Sequence, residues 1–249
     1  MKAGFLALLL LTLLFENVFC AEIGLIDGDN RPLGQFPETS GIKIGEFAEP
    51  AILLAAGAII YTQDESIHDT FLNIKSPFLD TAADIDCLGD GTLLLPSYAA
   101  LYLLGADKEK IVAVNALEAF VESGLLGVAI KSATGRSRPP SGGNPYNFNP
   151  SFGDNSFPSG HTTVAFSTAA VIGGAYNCRI ITYPLAALVG LGRVYKEKHW
   201  ASDVFFGALL GSIVGEAHAA GMKKKESSKM SLYIEPGNAG VVYGIKIRF

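Results

Sequence analysis

Residues 158–176 read PSGHTTVAFSTAAVIGGAY, and the fold of the whole chain follows from how this stretch is understood. Pro158 and Ser159 close a loop. From Gly160 to Tyr176 small and apolar residues run on as one helix without a breaker. The first turn of that helix carries Ser159, Gly160 and His161. Free N–H groups and the positive end of the dipole suit an oxyanion there, Gly160 lets the backbone come close, and Ser159 adds a hydroxyl. An ordinary N-cap explains Ser159 equally well; His161 is harder to assign to structure alone.

Upstream, the connection from Ser132 to Pro158 is dense in Gly, Pro, Ser and Asn. It is far longer than the usual helix-to-helix turn, and loops of that length are generally functional or disordered. Apolar segments predict helices over 50–61, 92–106 (interrupted by Pro96) and 110–131 before it, and over 180–192 and 201–221 after it. Residues 63–75 are mixed and helical in part. The end of the chain alternates Leu232 and Ile234, then Val241, Tyr243, Ile245, Ile247 and Phe249, around Pro236, Gly237 and Asn238, a hairpin pattern. The expected fold class is therefore all-α: a helical bundle of about six helices with a long active-site loop and a small C-terminal β-hairpin.

With 249 residues, one principal domain is the default, here 47–222. An arm rich in Gly, Pro and Asp precedes it over 21–46, and a charged linker and the hairpin follow over 223–249. Residues 1–20 read as an export signal: Lys2, an apolar run from Ala3 to Phe15, and cleavage before Ala21. That places the mature chain in the periplasm, soluble or membrane-associated. The alternative, a lipoprotein signal with Cys20 acylated, is opposed by the bulk of Phe19. Cys87 and Cys178 then remain in a compartment that permits a disulfide, and spacing leaves both a bridge and two separate thiols open.

A net charge of −5 gives no support to a nucleic-acid partner, while a positive mean hydropathy leaves a membrane open. A spanning helix needs roughly 20 apolar residues. The runs 51–61 and 180–192 are shorter, and 110–131 carries Glu118 and Glu122, costly in lipid unless they face the bundle interior. These lengths favour a soluble or peripherally attached bundle over a six-span membrane protein.

Three islands hold residues suited to phosphoryl chemistry. The first is Lys131, six residues, then Arg138 and Pro139. The second is Pro158 to His161. The third is Arg193, five residues, His199, three residues, then Asp203. Singly each has a structural explanation: Lys131 complements a helix C-terminus, and a His/Asp pair four apart is often a surface interaction. Together they bring cations, two imidazoles and a carboxylate, and phosphoryl transfer asks mainly for positioning and positive electrostatics. No Cys/His cluster has the spacing of a zinc site.

In this order and spacing the islands resemble the signature of the type 2 phosphatidic acid phosphatase family. That family includes bacterial class A acid phosphatases and shares its core with vanadium haloperoxidases. The resemblance implies His199 as nucleophile, Asp203 as its orienting partner and His161 as general acid and base. Lys131, Arg138, Ser159, Gly160 and Arg193 are then the phosphate-binding set, with no metal or other cofactor. The implied substrate is a phosphorylated lipid or a small phosphomonoester. The family usually has serine just before the third-island arginine, where this chain has Gly192. Two alternatives stay open: a vanadate-dependent haloperoxidase, and a non-enzymatic membrane-associated scaffold. His68, His218, Glu118 and Glu122 match no motif position and read as structural. Tyr146, Phe148 and Phe152 read either as a substrate entrance or as anchors of the long loop.

Overall fold

A computed structural model of the chain describes residues 45–139, 144–151, 153, 155–227, 230–237 and 240–247. The expected export signal, the arm up to residue 44, Phe152 and Phe249 lie outside them. Eight α-helices and one 3-10 turn follow one another in the described residues: α1 (Gly45–Thr62), α2 (Asp64–Leu72), α3 (Pro77–Asp84), the turn Ile85–Gly89, α4 (Gly91–Leu104), α5 (Asp107–Thr134), α6 (Gly160–Tyr176), α7 (Arg179–Tyr195) and α8 (Ala201–Ser227). Two strands, β1 (Met230–Gly237) and β2 (Gly240–Ile247), pair antiparallel with Met230 opposite Ile247.

The expectation of about six helices is corrected to eight. Of the additional pair, α2 falls within the mixed segment 63–75 expected to be helical in part, and α3 was not anticipated; both are short. Their starts are nonetheless favourable: Asp64 and Glu65 in the first turn of α2 complement the dipole, and Pro77 opens α3. Pro50 sits inside α1 rather than at its first turn.

Helix α6 is the centre of the bundle, buried along nearly its whole length from Thr162 to Gly174 and packed against α5, α7 and α8. Small residues make that possible. Gly207, Gly211 and Gly215, one turn apart on α8, lie on the backbone carbonyls of Ser159, Thr163 and Ser167, where an added Cβ would collide. This close crossing of two backbones is how helices associate when small residues line the contact. It also sets the site, because it carries the start of α8 against the start of α6, where the Ser159 N–H donates to the Asp203 carbonyl at 3.0 Å. Three clusters fill the rest: one of Leu94, Tyr98, Val112, Ala116, Val164 and Val214, one of Phe166, Ala170, Tyr183 and Val189, and a small one of Leu79, Ala82 and Leu191.

The outside is apolar too. On α5, Ile111, Val114, Leu117, Val121, Leu125 and Val128 are exposed at spacings of three and four, a stripe about 25 Å long at helical rise. Ile52, Leu103, Leu104, Ile180 and Ile181 are more than half exposed. A water-facing surface does not present this much contiguous hydrocarbon. Helices α5 and α8 are long and apolar enough to cross a membrane, and the pair formed by α3 with its turn and α4, bent by 58°, makes a third if counted as one span. The preference for a soluble bundle does not survive this surface; the chain is membrane-associated. Uninterrupted apolar length misleads here because the polar residues are paired between helices. Glu118 and Glu122 of α5 meet His218 of α8 at 3.7 and 3.0 Å. Cys87 and Cys178 are both free thiols, so the bridge left open by their spacing is not formed.

Candidate active site

The long loop is folded back on itself. Gly135 ends α5 in the left-handed conformation at φ 59°, a cap that glycine takes without a steric penalty. The chain then runs through an isolated bridge between Arg136 and Phe148. Lys131, in the last turn of α5, donates from Nζ to the carbonyls of Asn155 (2.7 Å), Pro158 (2.9 Å) and Ser156 (3.3 Å). Its ammonium thus clasps the end of the loop to the start of α6. The aromatic residues described here serve the loop as well: Tyr146 and Phe148 pack on Tyr61 of α1.

His199 lies one residue ahead of Trp200 at the start of α8 and is almost wholly buried. Its Nε2 is 3.3 Å from Nη1 of Arg138, which also donates to the Lys198 carbonyl at 2.5 Å. Its Nδ1 faces Asp203 Oδ2 at 3.6 Å and the Ser156 hydroxyl at 3.5 Å. Burial pushes the imidazole down to about 4, with Asp203 pulling the other way and Arg138 and Lys131 adding to the depression. The ring is therefore neutral near pH 7.

His161 stands half-exposed in the first turn of α6, its Nε2 3.9 Å from Asp90. Arg138 is within electrostatic reach of both imidazoles, and Arg193 of His161. Arg193 pairs with Asp86 at 2.9 Å, an acid that also takes Lys196 at 3.1 Å. Its Nε is buried with no hydrogen-bond partner among the described residues, a donor suited to an incoming anion. Ser159, fully buried, makes no cap with its side chain; its oxygen accepts from the Thr162 hydroxyl at 2.9 Å.

Beside these groups runs a groove of about 250 Å³ between α4, α5 and α6. Lys131, Gly160 and His161 line its polar end, and Phe120, Val128 and Val164 its chiefly apolar walls. A wider hollow of about 800 Å³, lined by residues such as Glu65, Asp69 and Tyr146, holds neither imidazole and no arginine.

All three islands thus converge on one region. Residues 112–225 match the family model of the PAP2 superfamily. That similarity takes in a little under half of the chain. The fold is similar to that of the transmembrane PAP2-type phosphatidylglycerolphosphate phosphatase from Bacillus subtilis, with a TM-score of 0.52 and 25% identity over 71% of this chain and 96% of that one. It is also similar to Aquifex aeolicus LpxE, with a TM-score of 0.51 and 28% identity over 63% of this chain and 94% of the other. A lipid A 1-phosphatase from Porphyromonas gingivalis is 42% identical over 67 residues, a match that spans 25% of this chain and 15% of that relative's length.

The departure at Gly192 has a physical cause. A Cβ at that position would run into the carbonyl of Ala82, because α3 lies directly on α7 there. Sequence reasoning missed Asp64, Asp86, Asp90, Arg136 and Ser156. Arg136 and Ser156 lie between the islands, inside the loop; the three acids come from the polar α2-to-α4 region that showed no period.

Proposed function

We propose that this chain is an exported phosphatase of the membrane surface that hydrolyses a lipid phosphate monoester through a phosphohistidine on His199, with no metal cofactor. One observation carries the reading above the others: Nε2 of His199 and the Arg138 guanidinium stand side by side, and His161 and Lys131 line the polar end of a groove whose walls are chiefly apolar. A small water-soluble ester needs the cations; only a lipid needs the groove. The named relatives, a lipid A 1-phosphatase and a phosphatidylglycerolphosphate phosphatase, point the same way.

In the first step Arg138, Arg193, the Ser159 hydroxyl and the Gly160 N–H hold the phosphoryl oxygens. The Nε2 lone pair of His199 forms a bond to phosphorus as the bond from phosphorus to the lipid oxygen breaks. That oxygen leaves with the electron pair and takes a proton from His161. Asp203 accepts from Nδ1 and steadies the positive ring. In the second step water gives a proton to His161 and attacks phosphorus, the N–P pair returns to His199, and inorganic phosphate departs. Lys131 adds positive potential while it clasps the loop.

The test uses the full chain in liposomes. Phosphate release is compared between phosphatidylglycerol phosphate, lipid A 1-phosphate, phosphatidate and a chromogenic aryl phosphate, each with and without EDTA. Faster release from a lipid, unaffected by EDTA, is expected. Release from the aryl phosphate alone, or loss of turnover with EDTA, contradicts the proposal.

A further inference from the structure

Arg136 is fully buried and every nitrogen of its guanidinium is occupied. Nε donates to the Pro145 carbonyl at 2.8 Å, Nη1 to Asp203 Oδ1 at 2.5 Å and to the Ser202 hydroxyl at 2.8 Å, and Nη2 to Asp64 Oδ2 at 2.7 Å. Tyr61, Phe148 and Trp200 box it in, with ring centres 5.0 to 5.8 Å from the guanidinium carbon. The second Asp203 oxygen accepts from the Ser156 hydroxyl and from the Trp200 N–H at 2.8 Å. Asp64 also accepts from the Ser202 N–H at 2.9 Å and the Ser202 hydroxyl at 2.5 Å. Both carboxylates meet donors only, as ionised groups do. The two acids flank one cation, so the buried group carries a net charge of −1 against the His199 ring.

The second acid, Asp64, also satisfies the first turn of α8 through Ser202, and burial pushes its carboxyl above the usual range. A lone buried Asp203–Arg136 pair would be neutral, and adding a second carboxylate to a dry interior costs more than it returns unless it serves something else. When Nε2 bonds to phosphorus with Nδ1 still protonated, the His199 ring becomes a cation inside the protein. With Arg136 alone beside it, Asp203 would have its field on that ring largely cancelled; a cluster of −1 preserves it.

Resting on the reading above, we propose that Arg136 and Asp64 are positioning residues. Arg136 fixes the plane of the Asp203 carboxylate, and Asp64 cancels the Arg136 charge so that Asp203 still acts on His199 as an anion. Helix α2 thereby reaches the reaction through Arg136, 72 positions away in sequence. Neither residue touches substrate.

The test is a double-variant cycle in the full chain. Asp64→Asn should lower kcat by about 10-fold or more, with KM changed by less than about 3-fold. In an Asp203→Asn background the same substitution should cost less than about 3-fold, because its route to the ring is already cut. Arg136→Lys, which keeps the charge but not the fork, should fall between wild type and Arg136→Met. Ser202→Ala, a milder change that removes one bond to Asp64, gives the same kcat-selective loss if the acid variants fail to fold. An unchanged kcat in folded Asp64→Asn, an equal loss in both backgrounds, or a folded Ser202→Ala with wild-type kcat overturns the proposal. Inactive wild-type protein, or an active His199→Ala, would instead sink the phosphatase reading itself.

Discussion

Nη1 of Arg138 stands 3.3 Å from Nε2 of His199, so the cation that would hold a phosphoryl oxygen is already next to the nitrogen that would attack phosphorus. Removing that guanidinium withdraws both the binding and the charge stabilisation. Arg138→Ala should lower kcat/KM by about 10²- to 10³-fold. Arg138→Lys should recover only part, since an ammonium cannot form the same fork. Steady-state kinetics on a lipid phosphate check both.

The groove predicts a separation of substrates. An added Cβ at Gly127 meets nothing within 4 Å, and the residue lines the groove beside Val128 and Lys131. Gly127→Leu should therefore fill the apolar channel without disturbing the helix. Hydrolysis of a long-chain lipid phosphate should fall by about 10-fold or more, while that of an aryl phosphate stays near wild type. Equal effects on both substrates would remove the groove from lipid binding.

Restoring the serine that the resemblance associates with position 192 should do harm. The Ala82 carbonyl leaves no room for a Cβ, so α3 has to move away from α7. Gly192→Ser should destabilise the protein by about 1–3 kcal/mol, read as a lower thermal midpoint in detergent, with no gain in kcat.

The low pKa of His199 fixes a pH response of known sign. The folded ring titrates near 4 and the unfolded one near 6.5. Above pH 6.5 neither binds a proton and stability is unaffected by this group. Between 6.5 and 4 only the unfolded chain takes one up, so stability falls with falling pH, by about 3 kcal/mol in total, and then levels off. His199→Gln should lose that portion of the acid sensitivity when thermal midpoints are compared at pH 7 and pH 4.5.

Much of the site was legible because its residues cluster in short runs with fixed spacing: Lys131 and Arg138, Ser159 to His161, Arg193 to Asp203. Convergence of those runs needed no more than a loop between two long helices. What was not legible depends on distance in sequence. Asp64 meets Arg136 and Ser202, and Asp86 meets Arg193, across more than 70 residues, and no local pattern marks such partners. Helix α2 was legible only as part of a mixed segment and the short α3 not at all, and of their acids Asp64 alone is buried. The membrane surface was misjudged for a related reason: Glu118 and Glu122 interrupt an apolar run but are matched by His218 on the neighbouring helix. The α8 glycines at 207, 211 and 215 were visible as letters, yet their meaning emerged only with the α6 carbonyls beneath them.

The central claim is the covalent bond between His199 and phosphorus. Rapid acid-free quenching of the enzyme with a lipid substrate labelled in its phosphate should trap label on the protein, stable in base, lost in acid, and mapped to residue 199. His199→Ala should trap none, and His161→Ala should still trap label on an ester with a good leaving group. Label on any other side chain, or full turnover in His199→Ala, would contradict the account.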